Sequence, residues 1–353
     1  MSIEEKLFGL LRESLWNTMF EGTISPDEGK LLINLAERQA VSGLIIEMLI
    51  RNDVHMERQT VLQAYSHLEL LKQQNLHMNK ELGVFAQLMA RNRIDYMVVK
   101  GQTLAALYSE PLVRQPGDID FLVNDYQRAS KGLQDQWGVK LPRNLVEKEI
   151  AFTHGNVLYE LHTYLIDFGS KKHKEYWEKI LAESKSAVIN IGGEDVKIIE
   201  PTLNAIYIFL HLFFHFVKEG VGLRHLCDWA IMMHHYKDEI DKDMMAVALN
   251  KLGLLKAFCA FGTILADKLG MKDFPLALTE KDRKSQTRIL KDIMHSGNFG
   301  RDKRKVKKVG LIYKIETMAF IMKNCVRYYS LAPKEMRLIL YRRFAVNYKL
   351  FKQ

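Results

Sequence analysis

The chain has 353 residues, 48% hydrophobic and 26% charged, which is ample for a folded soluble protein and too long for one average core, so two or three subdomains are expected. The net charge of +9 is unevenly placed: residues 301–353 hold 15 Lys/Arg against Asp302, Glu316 and Glu335, a balance of +12, while the preceding 300 residues sum to −3. Cys227, Cys259 and Cys325 are scattered, which excludes a Cys-x-x-Cys metal knuckle and argues for a reducing compartment. The greasiest stretch, Leu203 to Val217, is too short at 15 residues, and too polar through His211 and His215, to span a bilayer. Glu4 and Glu5 stand where a secretory leader would be basic, so no signal peptide and a cytoplasmic location are expected.

Residues 1–92 read as a helical region. Ser25-Pro-Asp-Glu28 is a helix start, with Ser at the cap and Pro in the first turn, and Leu31, Leu32, Leu35 and Ala36 follow at helical spacing. Met56 to Arg91 lacks Pro and has no Gly before Gly83, which predicts one long helix or two in tandem. Residues 93–200 mix strands and helices into an α+β core with a mixed sheet. Ile94 to Val99 reads as a strand, Thr103 to Tyr108 as a short helix, Ile119 to Val123 as a buried strand and Tyr126 to Trp137 as a helix. Ile150 to Thr153 and Val157 to His162 form a hairpin around Gly155-Asn156; Ala187 to Ile191 and Val196 to Ile199 form another around Gly192-Gly193. Pro201 opens a helical region, 201–270, expected to pack on this core. Residues 271–308 read as a polar and basic linker, and 309–353 as basic C-terminal helices.

Asp118-Ile-Asp120 at the head of the buried strand carries the chemistry. Residues two apart on a strand point to one face, so both carboxylates project together. Two such charges repel unless a cation joins them, and a divalent ion completed by phosphate oxygens resolves the repulsion. Upstream, strand, Lys100-Gly101 and helix make a corner suited to an anion, and Gly117 opens the second strand.

This run, K-G-x-x-L-A-x-L-Y followed by R-x-x-G-D-I-D-x-L-V, resembles the nucleotidyltransferase superfamily that includes DNA polymerase β. More closely, it is similar to a bacterial family known only as uncharacterised nucleotidyltransferases. The resemblance covers roughly residues 30–270 and is specific over 94–123. It implies a nucleotidyltransferase-like core over 93–200 and a third carboxylate on a later strand, a place that Glu160 in Val157-Leu-Tyr-Glu-Leu-His162 matches. It further implies Asp118, Asp120 and Glu160 as ligands of Mg²⁺ or Mn²⁺ and as the catalytic carboxylates. Lys100, Gly101, Thr103, Arg114 and Gly117 would contact the nucleotide. The usual Gly-Ser or Gly-Gly turn is absent, so a hydroxyl contact to phosphate would fall to Thr103. His162, His211, Arg224 and Asp228 are candidate cleft residues.

The expected activity is transfer of an NMP from an NTP to an acceptor, with pyrophosphate released; nothing in the sequence selects the acceptor. Each assignment has a plainer alternative. In these alternatives Glu160 forms an ordinary salt bridge, Arg114 being one partner in reach; Arg114 pairs with Asp118; Lys100 is solvated. His211 and His215, with His225 and Asp228, have the spacing of a zinc site, but no glutamate lies between the two histidines to act as base. The run 301–308, with six Lys/Arg, is the segment expected to meet a polyanion. Two rivals remain: a catalytically degenerate module that binds nucleotide, partner protein or nucleic acid without turnover, and a nucleic-acid binder using the basic segment on this scaffold.

Overall fold

The computed structural model describes residues 1–142, 149–298 and 311–350, with the backbone alone described for 311, 312, 314 and 343–350. Four helices open the chain: α1 (Ile3–Trp16), α2 (Pro26–Arg38), α3 (Ser42–Arg51) and α4 (Arg58–Arg91). α2 begins as its sequence dictates, with Glu28 N donating to Ser25 Oγ and Ser25 N donating to the Glu28 carboxylate at 2.8 Å. Met56 to Arg91 resolves to one uninterrupted helix of 34 residues rather than two.

The α+β part follows. It comprises β1 (Tyr96–Val99), α5 (Gln102–Ala105), β2 (Ile119–Val123), α6 (Tyr126–Trp137), β3 (Glu149–His154), β4 (Val157–His162), α7 (Lys171–Glu183), β5 (Ser186–Ile191) and β6 (Glu194–Ile199). The main sheet has the order β1-β2-β4-β3. β2 runs antiparallel to β1 and parallel to β4, and β3 closes the far edge antiparallel to β4, so the sheet is mixed. Both hairpins form at their glycine turns. The β5–β6 hairpin is a separate sheet beside β1 and α4. One face of the main sheet packs Phe121, Tyr159 and Val98 against Phe85 and Leu82 of α4 and Leu133 of α6. The other face is left for the cleft.

Helices α8 (Pro201–Lys218), α9 (Leu223–His235), α10 (Lys242–Lys251) and α11 (Leu255–Asp267) build the larger core. α8 is apolar all round and buried accordingly; His211, His215 and Lys218 are its three positions that are not buried. Within the stretch expected as a linker, 271–308, the described part contains α12 (Glu280–Arg283) and α13 (Gln286–Ser296). α13 is amphipathic and buries Ile289 and Ile293 completely, so this part of the segment packs on the larger core. The basic run 301–308 lies outside the described residues. α14 (Leu311–Arg327) and α15 (Pro333–Leu350) end the described chain. No helix among the described residues is long and apolar enough to cross a membrane.

Candidate functional site

A cleft of about 660 Å³ opens where the ends of β1 and β2 meet α8 and α9. Its floor is set by chain geometry. Lys100 and Gly101, between β1 and α5, both take left-handed backbone conformations, with φ of 58° and 51°. Glycine does this at no steric cost, whereas lysine does not. A side chain on Gly101 would also meet the Asp118 carbonyl oxygen, its Cβ lying at 2.9 Å, so the turn is open only to glycine. The Lys100 conformation brings its ammonium to Asp120 Oδ1 at 2.8 Å, and that ion pair offsets the strain.

Asp120 is buried at the second position of β2, opposite Val99 on one side and Glu160 on the other. Along β4, Tyr159 and Leu161 enter the core while Leu158, Glu160 and His162 line the cleft. The parallel register therefore sets Glu160 beside Asp120. His162 Nε2 lies 2.6 Å from Asp120 Oδ1 and 3.8 Å from Glu160 Oε2, and its Nδ1 is 3.6 Å from Glu149 Oε2. Ligand atoms of Asp120, Glu160 and His162 lie within 4.8 Å of one another. Asp118 lines the same cleft but is not part of that trio.

The electrostatics divide these carboxylates. Burial raises the pKa of Asp120, but the Lys100 ammonium and the His162 imidazole outweigh it, and the group stays ionised well below the usual range. Asp118 is pushed up by burial and by the charge of Asp120. Glu160 is pushed up to about 7 by burial, then by Asp120, Asp118 and Glu149. Among the described cleft-lining residues, six carboxylates face three Lys/Arg side chains. A concave site with that excess is suited to a cation, and hard oxygen donors with one imidazole fit Mg²⁺ or Mn²⁺.

Three expected contacts are placed differently. Thr103 is buried and its hydroxyl donates to the Lys100 carbonyl at 2.7 Å; α5 begins at Gln102, so the side chain closes its own turn and does not reach the cleft. Arg114 pairs with neither Asp118 nor Glu160. Its Nε and Nη2 donate to Asp228 Oδ1 and Oδ2 at 2.7 and 2.8 Å, and Tyr108 Oη donates to Oδ1 as well. Asp228 is thus committed to a buried strut between the residues ahead of β2 and α9. Lys100 is not solvated but ion-paired.

His211, His215, His225 and Arg224 form the helical wall of the cleft. The His211 and His215 rings are 4.3 Å apart, as expected one turn apart on α8. Among the described residues these histidines form no three-ligand group, so the zinc alternative gains no support. Burial, with Arg224 and His215 nearby, holds His225 well below its ordinary value, so it is neutral. Sequence reasoning missed Glu149 and Glu219 in the cleft wall. The alternation of β3 carried a signal for Glu149, which pairs with His162 across the ladder.

No curated protein sequence matches the chain. Among solved structures, an antigenic nucleotidyltransferase-like protein from Paracoccidioides brasiliensis aligns at 16% identity and a TM-score of 0.36, covering 56% of this chain and 93% of that one. Residues 25–270, well over half of the chain, match the model of the family described as uncharacterised nucleotidyltransferases, and the chain belongs to that family.

Proposed function

We propose that the protein is a metal-dependent nucleotidyltransferase that moves an NMP from an NTP to an acceptor and releases pyrophosphate. The observation that carries this reading is the clustering of Asp120, Glu160 and His162 next to Asp118 in a cleft rich in carboxylates, in a member of a nucleotidyltransferase family. Asp118, Asp120 and Glu160 would hold Mg²⁺ or Mn²⁺, with His162 as a further ligand or as the group orienting Asp120. A divalent ion bound there supplies charge neutralisation for the phosphoryl group being transferred. Asp120, held ionised, is ready to bind at neutral pH. Glu160, where it is not on the metal, is suited to accept the acceptor's proton, burial holding its pKa up at about 7. Gly101 and Gly117 leave backbone open to phosphate.

One observation favours the second reading, a nucleotide-binding module without turnover. Asp120 Oδ1 already receives Lys100 and His162, so a metal must displace or share with them. Calorimetry with Mn²⁺ and NTP on wild type and Asp120→Asn separates the readings. Metal-dependent binding that Asp120→Asn weakens at least tenfold, with pyrophosphate released on turnover, supports the transferase. Binding without pyrophosphate release from any acceptor pool supports the module, and unchanged affinity in Asp120→Asn sinks the metal assignment. The basic run 301–308 is proposed as the polyanion contact. Deleting it should remove salt-sensitive retention on a polyanion resin; retention with an unchanged salt slope refutes it.

A further inference from the structure

Among the described residues the cleft contains three Lys/Arg side chains, and two are already committed. The Lys100 ammonium donates to Asp120. The Arg114 guanidinium spends Nε and Nη2 on Asp228, and Nη1 donates to the Gln115 carbonyl at 3.2 Å. Arg224, second residue of α9, differs. Its Nη1 donates weakly to the Gln115 carbonyl at 3.3 Å, and its buried Nε has no hydrogen-bond partner among the described residues. Among the described residues no carboxylate is paired with it: Asp228, one turn along α9, is taken by Arg114.

A half-buried guanidinium without an anion is costly. Burial, and then repulsion from Arg114, lower its affinity for its own proton, with Asp228 and Asp118 offsetting only part. The space beside it is open. A Cβ added to Gly117 would meet within 4 Å only Arg224 Nη1, at 4.0 Å, and Gly117 directly precedes Asp118. So a planar fork with an unpartnered Nε stands over a bare backbone position next to the carboxylates that would hold the metal. A phosphate has the geometry and charge to fill that gap, and a guanidinium binds it through two parallel hydrogen bonds.

We propose that Arg224 is the phosphate-contacting cation of the cleft, receiving the polyphosphate tail of a metal-bound nucleotide above Gly117, with Arg114 and Asp228 as the positioning pair that leaves it free. This rests on the nucleotidyltransferase reading and adds to it which face of the cleft takes the leaving phosphates. It also moves the role expected of Arg114 onto a residue 110 positions later. The six cleft carboxylates would repel a bare polyanion, so the ligand enters with its divalent ion.

The probe is magnesium tripolyphosphate, titrated calorimetrically into the full chain. Wild type should bind. Arg224→Gln should bind about tenfold or more weakly, as expected for loss of a charged hydrogen-bonding partner. Arg224→Lys should fall between them, keeping charge but losing the fork. In wild type, which needs no variant to fold, the same ligand should shield Arg224 from phenylglyoxal in a peptide-mapped reaction while exposed Arg91 reacts as before. Equal affinity in Arg224→Gln, or an Arg224 that is not shielded, overturns the proposal. The metal reading is measured apart, by titrating Mn²⁺ with NTP into wild type and Asp120→Asn. Affinity that falls in Asp120→Asn while Arg224 stays unshielded overturns the phosphate subsite only, and a shielded Arg224 with affinity unchanged in Asp120→Asn upholds the subsite while sinking the metal assignment.

Discussion

Asp120 Oδ1 receives the Lys100 ammonium and the His162 imidazole together, and this crowding sets the behaviour of its neighbours. Compensated twice, Asp120 keeps its charge, and Glu160 across the ladder is raised first by its burial and then by that charge. Its pKa rises from an ordinary 4.5 to about 7. Between those values the folded protein holds a proton that the unfolded chain has released. Folding stability contributed by this group therefore falls as pH rises through that window and is flat above it. Glu160→Gln cannot ionise. In chelator, its melting temperature relative to wild type should rise from pH 4.5 to above 7, by a free energy of about 3 kcal/mol at most. Parallel melting curves across that range would show that Glu160 titrates like an exposed acid. The alternation of β4 made the shared face of Glu160 and His162 legible from sequence. The Lys100–Asp120 pair was not, because it depends on a left-handed backbone at a lysine, which no residue pattern announces.

The cleft stands on contacts between elements as well as on its own residues. Gly43 in α3 faces the turn Pro111–Val113 that delivers Arg114; a Cβ there would lie 1.9 Å from the Val113 carbonyl oxygen. Alanine is the better helix former by about 1 kcal/mol, but overpacking against backbone costs about 1–3 kcal/mol. The clash should win. Gly43→Ala is expected to lower stability by about 1–2 kcal/mol in a denaturant titration and to weaken nucleotide binding by shifting Arg114. A neutral or stabilising result would show that α3 slides freely over this turn. The residue pattern around Gly43 reads as an ordinary buried helix; the need for glycine arises only where a segment 70 residues away crosses it.

At the scale of the molecule, Glu335 ties the end of the described chain to its centre. It sits in the first turn of α15, is 1% exposed, and accepts from the backbone of Gly169 and Ser170 and from His173 Nδ1 at 2.6 Å. Its removal leaves two buried N–H groups and the Nδ1 of His173 without a partner at the start of α7, the Nε2 of that ring keeping Lys334 at 3.0 Å. Glu335→Ala should cost about 3 kcal/mol or more and expose the last helices to limited proteolysis; protease resistance equal to wild type would contradict this. Local rules were enough for the helix starts, both glycine hairpins, the apolar α8 and the parity that groups Asp118 with Asp120 and Glu160 with His162. Those features depend on periodicity and on turn chemistry within a few residues. The pairing of Arg114 with Asp228, the burial of α13, the closing of Thr103 on its own turn and the freeing of Arg224 depend on which distant segments meet. A guanidinium takes whichever carboxylate packing brings within 3 Å, and spacing along the chain does not encode that choice.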